Sequence, residues 1–119
     1  MKGLRINTMK LSDIVKELSL EIKTYKDGLQ NNITGAYVSD LLSDVMANGK
    51  EGNIWITLQT HMNIVAVASL KGIKGIVIVS NRQIPEETLK KAEDEKITIT
   101  TTSMPAFEIA GRIYALFKS

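Results

Sequence analysis

The chain has 119 residues, 44% hydrophobic and 24% charged, with fifteen basic side chains against thirteen acidic ones and no cysteine. That length supports one hydrophobic core, and a net charge of +2 with no Lys/Arg block is too weak a footprint for nucleic-acid binding. Without cysteine a disulfide scaffold, a thiolate metal site and a cysteine nucleophile are excluded.

Residues 1–8 carry charge but no apolar run, so they read as a loose leader and not as a signal peptide. Nothing later reaches the roughly 20 apolar residues of a membrane span. The expected location is the cytoplasm and the expected folded unit is residues 9–119. Ser12 is a good N-cap for the helix Asp13–Leu18, and a short strand over Leu20–Tyr25 ends at the turn pair Asp27-Gly28. A second extended piece covers Gly35–Val38, after which Ser39 caps a helix running to about Ala47.

From residue 53 strands and helices alternate. Asn53–Leu58 reads as a strand with Trp55 inside it. The apolar run Met62–Leu70 suits a helix stopped at Gly72, because another strand, Gly75–Val79, follows within a few residues and two parallel strands need a crossover. Ile76-Val77-Ile78-Val79 has the continuous β-branched character of a strand covered on both faces. Pro85 then suits the first turn of a helix in which Glu86 and Glu87 pair at i,i+4 with Lys90 and Lys91. A last strand, Ile97–Thr101, leads through Thr102-Ser103 into a helix over Met104–Phe117. The pattern predicts a three-layer α/β/α domain with a mainly parallel central sheet.

The chemical inventory is informative by what it lacks. There is one histidine, no phosphate loop of the Gly-x-x-x-x-Gly-Lys-Ser/Thr kind, and no Gly-x-Ser-x-Gly elbow. The expectation is therefore no catalytic residue, no cofactor and no metal. His61 follows a strand, where open α/β sheets place their ligand crevice, with Thr60 and Asn63 beside it. The plainer reading makes Thr60 an N-cap and His61 a first-turn residue. Ser80-Asn81-Arg82 and Thr102-Ser103 end the next two strands and form a candidate polar rim for an anion. In that rim Asn81 tolerates the left-handed backbone of a nest and Arg82 forks onto phosphate. Each of these Ser and Thr residues is equally a routine cap. Gly72-Ile73-Lys74-Gly75 matches the Gly-x-x-Gly loop of RNA-binding KH modules, but a helix stop and a tight turn account for both glycines.

The last helix carries Phe107, Ala110, Tyr114 and Phe117 on one stripe and Ala106, Ile109, Ile113 and Leu116 on another. One stripe covers the sheet. The other is either buried within the monomer or left as a patch that a homodimer would cover, and Met62–Leu70 poses the same choice.

The order of these motifs resembles the DRTGG domain over nearly the whole stretch from Met9 to Phe117. The strongest match is Ile76–Thr101, where a β-branched strand runs into a polar turn, a proline and Glu86-Glu87-Thr88-Leu89-Lys90-Lys91-Ala92-Glu93; Gly35–Asp44 is similar too. Thr60-His61 stands where the family has its Asp-Arg pair, and Ser80-Asn81-Arg82 where it has Thr-Gly-Gly. The resemblance implies a regulatory or dimer-forming module of the kind that accompanies CBS modules in regulated pyrophosphatases, precedes some phosphotransacetylases and resembles the N-terminal domain of HPr kinase. The expected function is a non-catalytic regulatory or adaptor domain that dimerises and senses a small anionic metabolite or nucleotide, with a partner enzyme and with neither nucleic acid nor membrane as partner. Two alternatives stand beside it. One is a protein-interaction subunit of a larger enzyme complex with no small ligand, and the other is an enzyme whose site is completed across a dimer around His61.

Overall fold

The computed structural model describes residues 8–118. The loose leader expected over residues 1–8 lies, apart from Thr8, outside the described residues. In chain order come β1 (Met9–Lys10), α1 (Leu11–Leu18), β2 (Glu21–Ile22), a 3₁₀ turn (Lys26–Gln30), β3 (Asn32–Ile33), β4 (Gly35–Val38), α2 (Leu42–Asn48) and β5 (Asn53–Thr57). They are followed by α3 (Asn63–Lys71), β6 (Gly75–Ile78), α4 (Glu86–Asp94), β7 (Ile99–Thr101) and α5 (Ala106–Lys118).

The main sheet has the order β2-β7-β6-β5-β4; the last four strands are parallel, and β2 joins β7 antiparallel. The short strands β1 and β3 form a separate antiparallel ladder. The three-layer α/β/α architecture expected from the alternation is the one the chain adopts.

β5 and β6 are buried at every residue, which is why they read as continuous apolar runs, and the pleat splits them between two cores. Trp55, Ile76, Ile78 and Ile99 face Val45 of α2, Ile64, Val65 and Ala68 of α3, and Ala92 of α4. Ile54, Ile56, Val77 and Val79 face Leu11, Ile14 and Leu18 of α1, and Ile109 and Ile113 of α5. From β4 to β7 each crossover steps the same way along the sheet, so a crossover of fixed hand puts α2, α3 and α4 on one face. Only after β7 does the chain change sides, and α5 lies with α1 on the other face.

Several local expectations are corrected. Ser12 lies inside α1; the N-cap is Lys10, whose N–H donates to the Asp13 carboxylate at 3.2 Å. The strand expected over Leu20–Tyr25 shrinks to Glu21–Ile22, because Lys23 and Thr24 both direct their N–H groups to the Ile99 carbonyl and the Thr24 hydroxyl takes over the pairing. That hydroxyl donates to Ile97 O at 2.7 Å and accepts the Ile99 N–H at 2.8 Å. Ser39 does not cap α2, which starts two residues later from Leu41; its hydroxyl accepts the Leu41 N–H at 3.1 Å. The expected pairing of Glu86 and Glu87 with Lys90 and Lys91 does not form, and Lys91 meets Glu95 at 3.6 Å. Gly72 does end α3 with φ 70°, but Gly75 makes no turn. It opens β6 where a Cβ would stand 3.2 Å from the Leu11 δ carbons, so it is glycine because α1 packs on it.

A crevice where two strand exits part

Parallel strands deliver the exits of β5, β6 and β7 to one end of the sheet. The chain leaves β6 toward α4 on one face and leaves β7 toward α5 on the other, so two neighbouring connections diverge. Between them sit Ser80, Asn81 and Arg82 from the first and Thr102 and Ser103 from the second.

Ser80 and Asn81 both take left-handed backbone, at φ 62° and 56°. Their N–H groups point across the parting, donating to Met104 O and Thr102 O at 2.9 Å each, while the Thr102 N–H returns to Ile78 O at 3.1 Å. The Thr102 hydroxyl accepts the Met104 N–H at 3.1 Å. The expectation of a backbone nest at Asn81 is therefore half right. The left-handed conformation is present, but these two N–H groups are committed to carbonyls and form no open nest.

Two recesses flank Asn81. One, of about 340 Å³, is bordered by Ser19, Glu21, Thr102 and Ser103; the other, of about 320 Å³, by Glu21, Lys23, Arg82, Gln83 and Glu86. Lys23 is engaged with Glu21 at 3.2 Å. Arg82 is exposed and makes no ion pair or side-chain hydrogen bond among the described residues. Its guanidinium, the Asn81 amide and the Ser103 hydroxyl are thus free to meet a ligand, with Glu21 and Glu86 close by.

Of the eight candidate residues, Asn81, Arg82, Thr102 and Ser103 border these recesses and Ser80 fixes the loop between them. Thr60, His61 and Asn63 belong to the β5–α3 connection and border neither recess. Thr60 does not serve as the N-cap of α3, whose N-cap position is Met62; its carbonyl accepts the Thr88 hydroxyl at 2.8 Å and ties the connection to α4. His61 precedes the helix, and its Nδ1 accepts the Asn63 N–H at 3.0 Å. No carboxylate or hydroxyl is hydrogen-bonded to its ring among the described residues.

Sequence reasoning did not identify Glu21 and Lys23, because their position follows from β2 lying antiparallel at the sheet edge beside β7. It also missed a polar cluster at the ends of β4 and β5. Asp40 accepts the Thr57 hydroxyl and the Leu58 N–H at 2.9 and 2.7 Å, and the Trp55 indole donates to Ser39 O at 2.8 Å. An aspartate two residues past a strand was the available signal. Nearby, Asp44 accepts from Tyr37 and Asn48, at 2.8 Å each. Hydrogen bonds from Asn48, Ser39 and Tyr37 hold the Asp44 carboxyl below the usual carboxylate range, and accepting carboxylate, burial and charge together raise the Tyr37 hydroxyl. Among the described residues no three His, Asp or Glu side chains converge as a metal site requires, and no helix is long and apolar enough to cross a membrane.

Away from the crevice, α5 and the edge strand β4 enclose an apolar groove of about 610 Å³, lined by Val38, Ile56, Ala110, Tyr114 and Phe117 among others. The Ile109/Ile113 stripe of α5 is the one that covers the sheet. The other stripe is split, with Phe107 92% and Tyr114 66% exposed but Ala110 and Phe117 half-buried against the same core, while α3 buries Ile64, Val65, Val67 and Ala68 within the monomer.

No protein-family model matches this chain, and no curated protein does. Among solved structures, the chain is similar to the CBS and DRTGG domains of the regulatory region of Clostridium perfringens pyrophosphatase, complexed with the activator diadenosine tetraphosphate. The TM-score is 0.70 at 18% sequence identity, over 86% of this chain and 44% of that one. The chain thus spans less than half of that structure, and the likeness establishes a shared DRTGG-like fold.

Proposed function

We propose that this chain is a non-catalytic regulatory or adaptor domain that works as a homodimer and takes a nucleotide or phosphorylated metabolite at the crevice between Asn81-Arg82 and Thr102-Ser103. The observation that carries this reading is the divergence of the β6 and β7 exits. Open α/β sheets take ligands where neighbouring connections leave the carboxyl ends of the strands for opposite faces.

Arg82 brings an unpaired guanidinium fork suited to phosphate oxygens. Glu21 and Glu86 raise the negative potential around it, which disfavours a bare anion and favours a ligand that adds hydrogen-bond donors, such as an amino group or ribose hydroxyls, beside its phosphate. The Clostridium perfringens regulatory region, which shares this fold, is complexed with a ligand of that class. A ligand as long as a dinucleoside polyphosphate would extend toward the β5 exit, where Thr60, His61 and Asn63 stand.

Thermal-shift titration with ATP, diadenosine tetraphosphate and inorganic phosphate tests the reading, because a ligand that binds only the folded state stabilises it by about 2.7 kcal/mol at a hundredfold excess over Kd. At least one nucleotide should raise Tm, and Arg82→Ala should abolish the rise without lowering the unliganded Tm. If none of the three moves Tm, the sensor reading falls. The alternative, a protein-interaction subunit of a larger enzyme complex with no small ligand, would then be favoured by the exposed Phe107 and Tyr114.

A further inference from the structure

The outward face of α5 carries two features that intrachain packing does not account for. Phe107 is 92% exposed on a helix that already has the apolar stripe it needs to cover the sheet. On the same face one turn later, Gly111 sits in mid-helix, where glycine is the poorest residue short of proline. A Cβ built at Gly111 meets nothing within 4 Å, so nothing in the monomer requires the missing side chain. At the helical period Phe107, Gly111, Tyr114 and Lys118 share one face, with a glycine notch between two exposed rings.

We infer that this face is the contact for a second copy of the same chain, with the two α5 helices crossing antiparallel at Gly111. This rests on the proposed dimer and names its surface. The charges select both the occupant and the direction. Glu108 lies in the first turn of α5, Arg112 at its midpoint and Lys118 in its last turn. A two-fold antiparallel crossing sets Glu108 of each copy alongside the C-terminal half of the other's α5, toward Lys118, whereas a parallel crossing would place Glu108 against Glu108 and Lys118 against Lys118. The monomer already joins Glu108 to Arg112 at 2.9 Å on the exposed surface, so the pair can be shared across the axis without burying an unpaired charge. Gly111 lets the two backbones approach, and the groove between α5 and β4 flanks the crossing with an apolar wall of Val38, Ala110 and Phe117 for the second copy's Phe107.

The chain contains no cysteine, so a single introduced one reports cleanly. With Gly111→Cys, mild oxidation should yield a covalent dimer as the main product, while Leu70→Cys, also exposed but on α3 across the sheet, should not. Light scattering of the unmodified chain at micromolar concentration should give a dimer. Phe107→Glu and Gly111→Leu should each weaken it at least tenfold, with the circular dichroism of the monomer unchanged, since neither position is packed. A wild-type dimer that survives both substitutions, with no Gly111→Cys cross-link, overturns this surface but keeps the dimer. A wild-type monomer at every concentration removes the dimer and the surface with it.

Discussion

Asn81 donates its N–H to the Thr102 carbonyl at 2.9 Å while its own backbone sits at φ 56°, so a strained residue forms one of the bonds between two connections that run to opposite faces of the sheet. Asparagine tolerates this conformation, and a β-branched residue does not. Asn81→Val should therefore lower the unfolding free energy by about 1–2 kcal/mol, the usual cost of forcing such a side chain into the left-handed region. Asn81→Gly should be near neutral. Urea denaturation followed by the fluorescence of Trp55, the sole tryptophan, compares the two, and equal losses would mean that the backbone conformation is not what makes this position particular.

Thr24 holds the foreshortened edge strand by its hydroxyl, buried between Ile97 O and the Ile99 N–H. Thr24→Val keeps the shape and orphans two buried backbone groups, which should cost about 2–3 kcal/mol. Thr100→Val removes one longer bond, 3.1 Å to Ile76 O, and should cost about 1 kcal/mol. The order of the two denaturation midpoints is the measurement, and a Thr100→Val loss equal to or larger than that of Thr24→Val contradicts this account of β2.

Gly28 lies under Thr98, and a Cβ there would overlap the Thr98 Oγ1 and reach within 3.0 Å of the Tyr25 ring. That hydroxyl donates to Tyr25 O at 2.8 Å and cannot move aside without giving up the bond. Gly28→Ala should thus destabilise by about 1–3 kcal/mol, as overpacking does. An unchanged midpoint would show that the 3₁₀ turn shifts freely.

The parallel core was legible because β-branched runs such as Ile76–Val79 can be satisfied only between two layers, and because each such run was followed by a helix long enough for a crossover. The candidate crevice was legible in part. Ser80-Asn81-Arg82 and Thr102-Ser103 come together since they end adjacent parallel strands, whereas His61 falls outside because its loop is bound to α4 through Thr88. What could not be read was long-range. The position of β2 beside β7 decides that Glu21 and Lys23 border the crevice, and that pairing is a two-residue ladder extended by one threonine side chain, too short to leave a strand pattern. The β1–β3 ladder has two residues a side, too few to show a period. Which stripe of α5 would face water was likewise open, both being apolar, and it is the Ile109/Ile113 stripe that fits against Val77 and Val79.

The cluster of Tyr37, Asp44 and Asn48 links β4 to α2, and its two titrations act at opposite ends of the pH scale. Asp44 has its carboxyl lowered by hydrogen bonds from Asn48, Ser39 and Tyr37, so its contribution is present above the ordinary carboxylate pKa and is lost as pH falls through the depressed folded value. Tyr37 is raised, first by donating to Asp44, so the neutral phenol is the favoured form; its contribution is present below the ordinary phenol pKa and is lost as pH rises through the raised one. Both groups are only partly buried, so each effect is small. Melting temperature measured from pH 7 down to pH 3 should fall less steeply in Asp44→Asn than in the wild type, because the amide has no proton to take up. In Tyr37→Phe the acid limb should keep part of its slope, through Asn48, and the decline above pH 10 should be reduced. An Asp44→Asn variant with the wild-type acid limb would mean that the three hydrogen bonds do not bias the carboxylate.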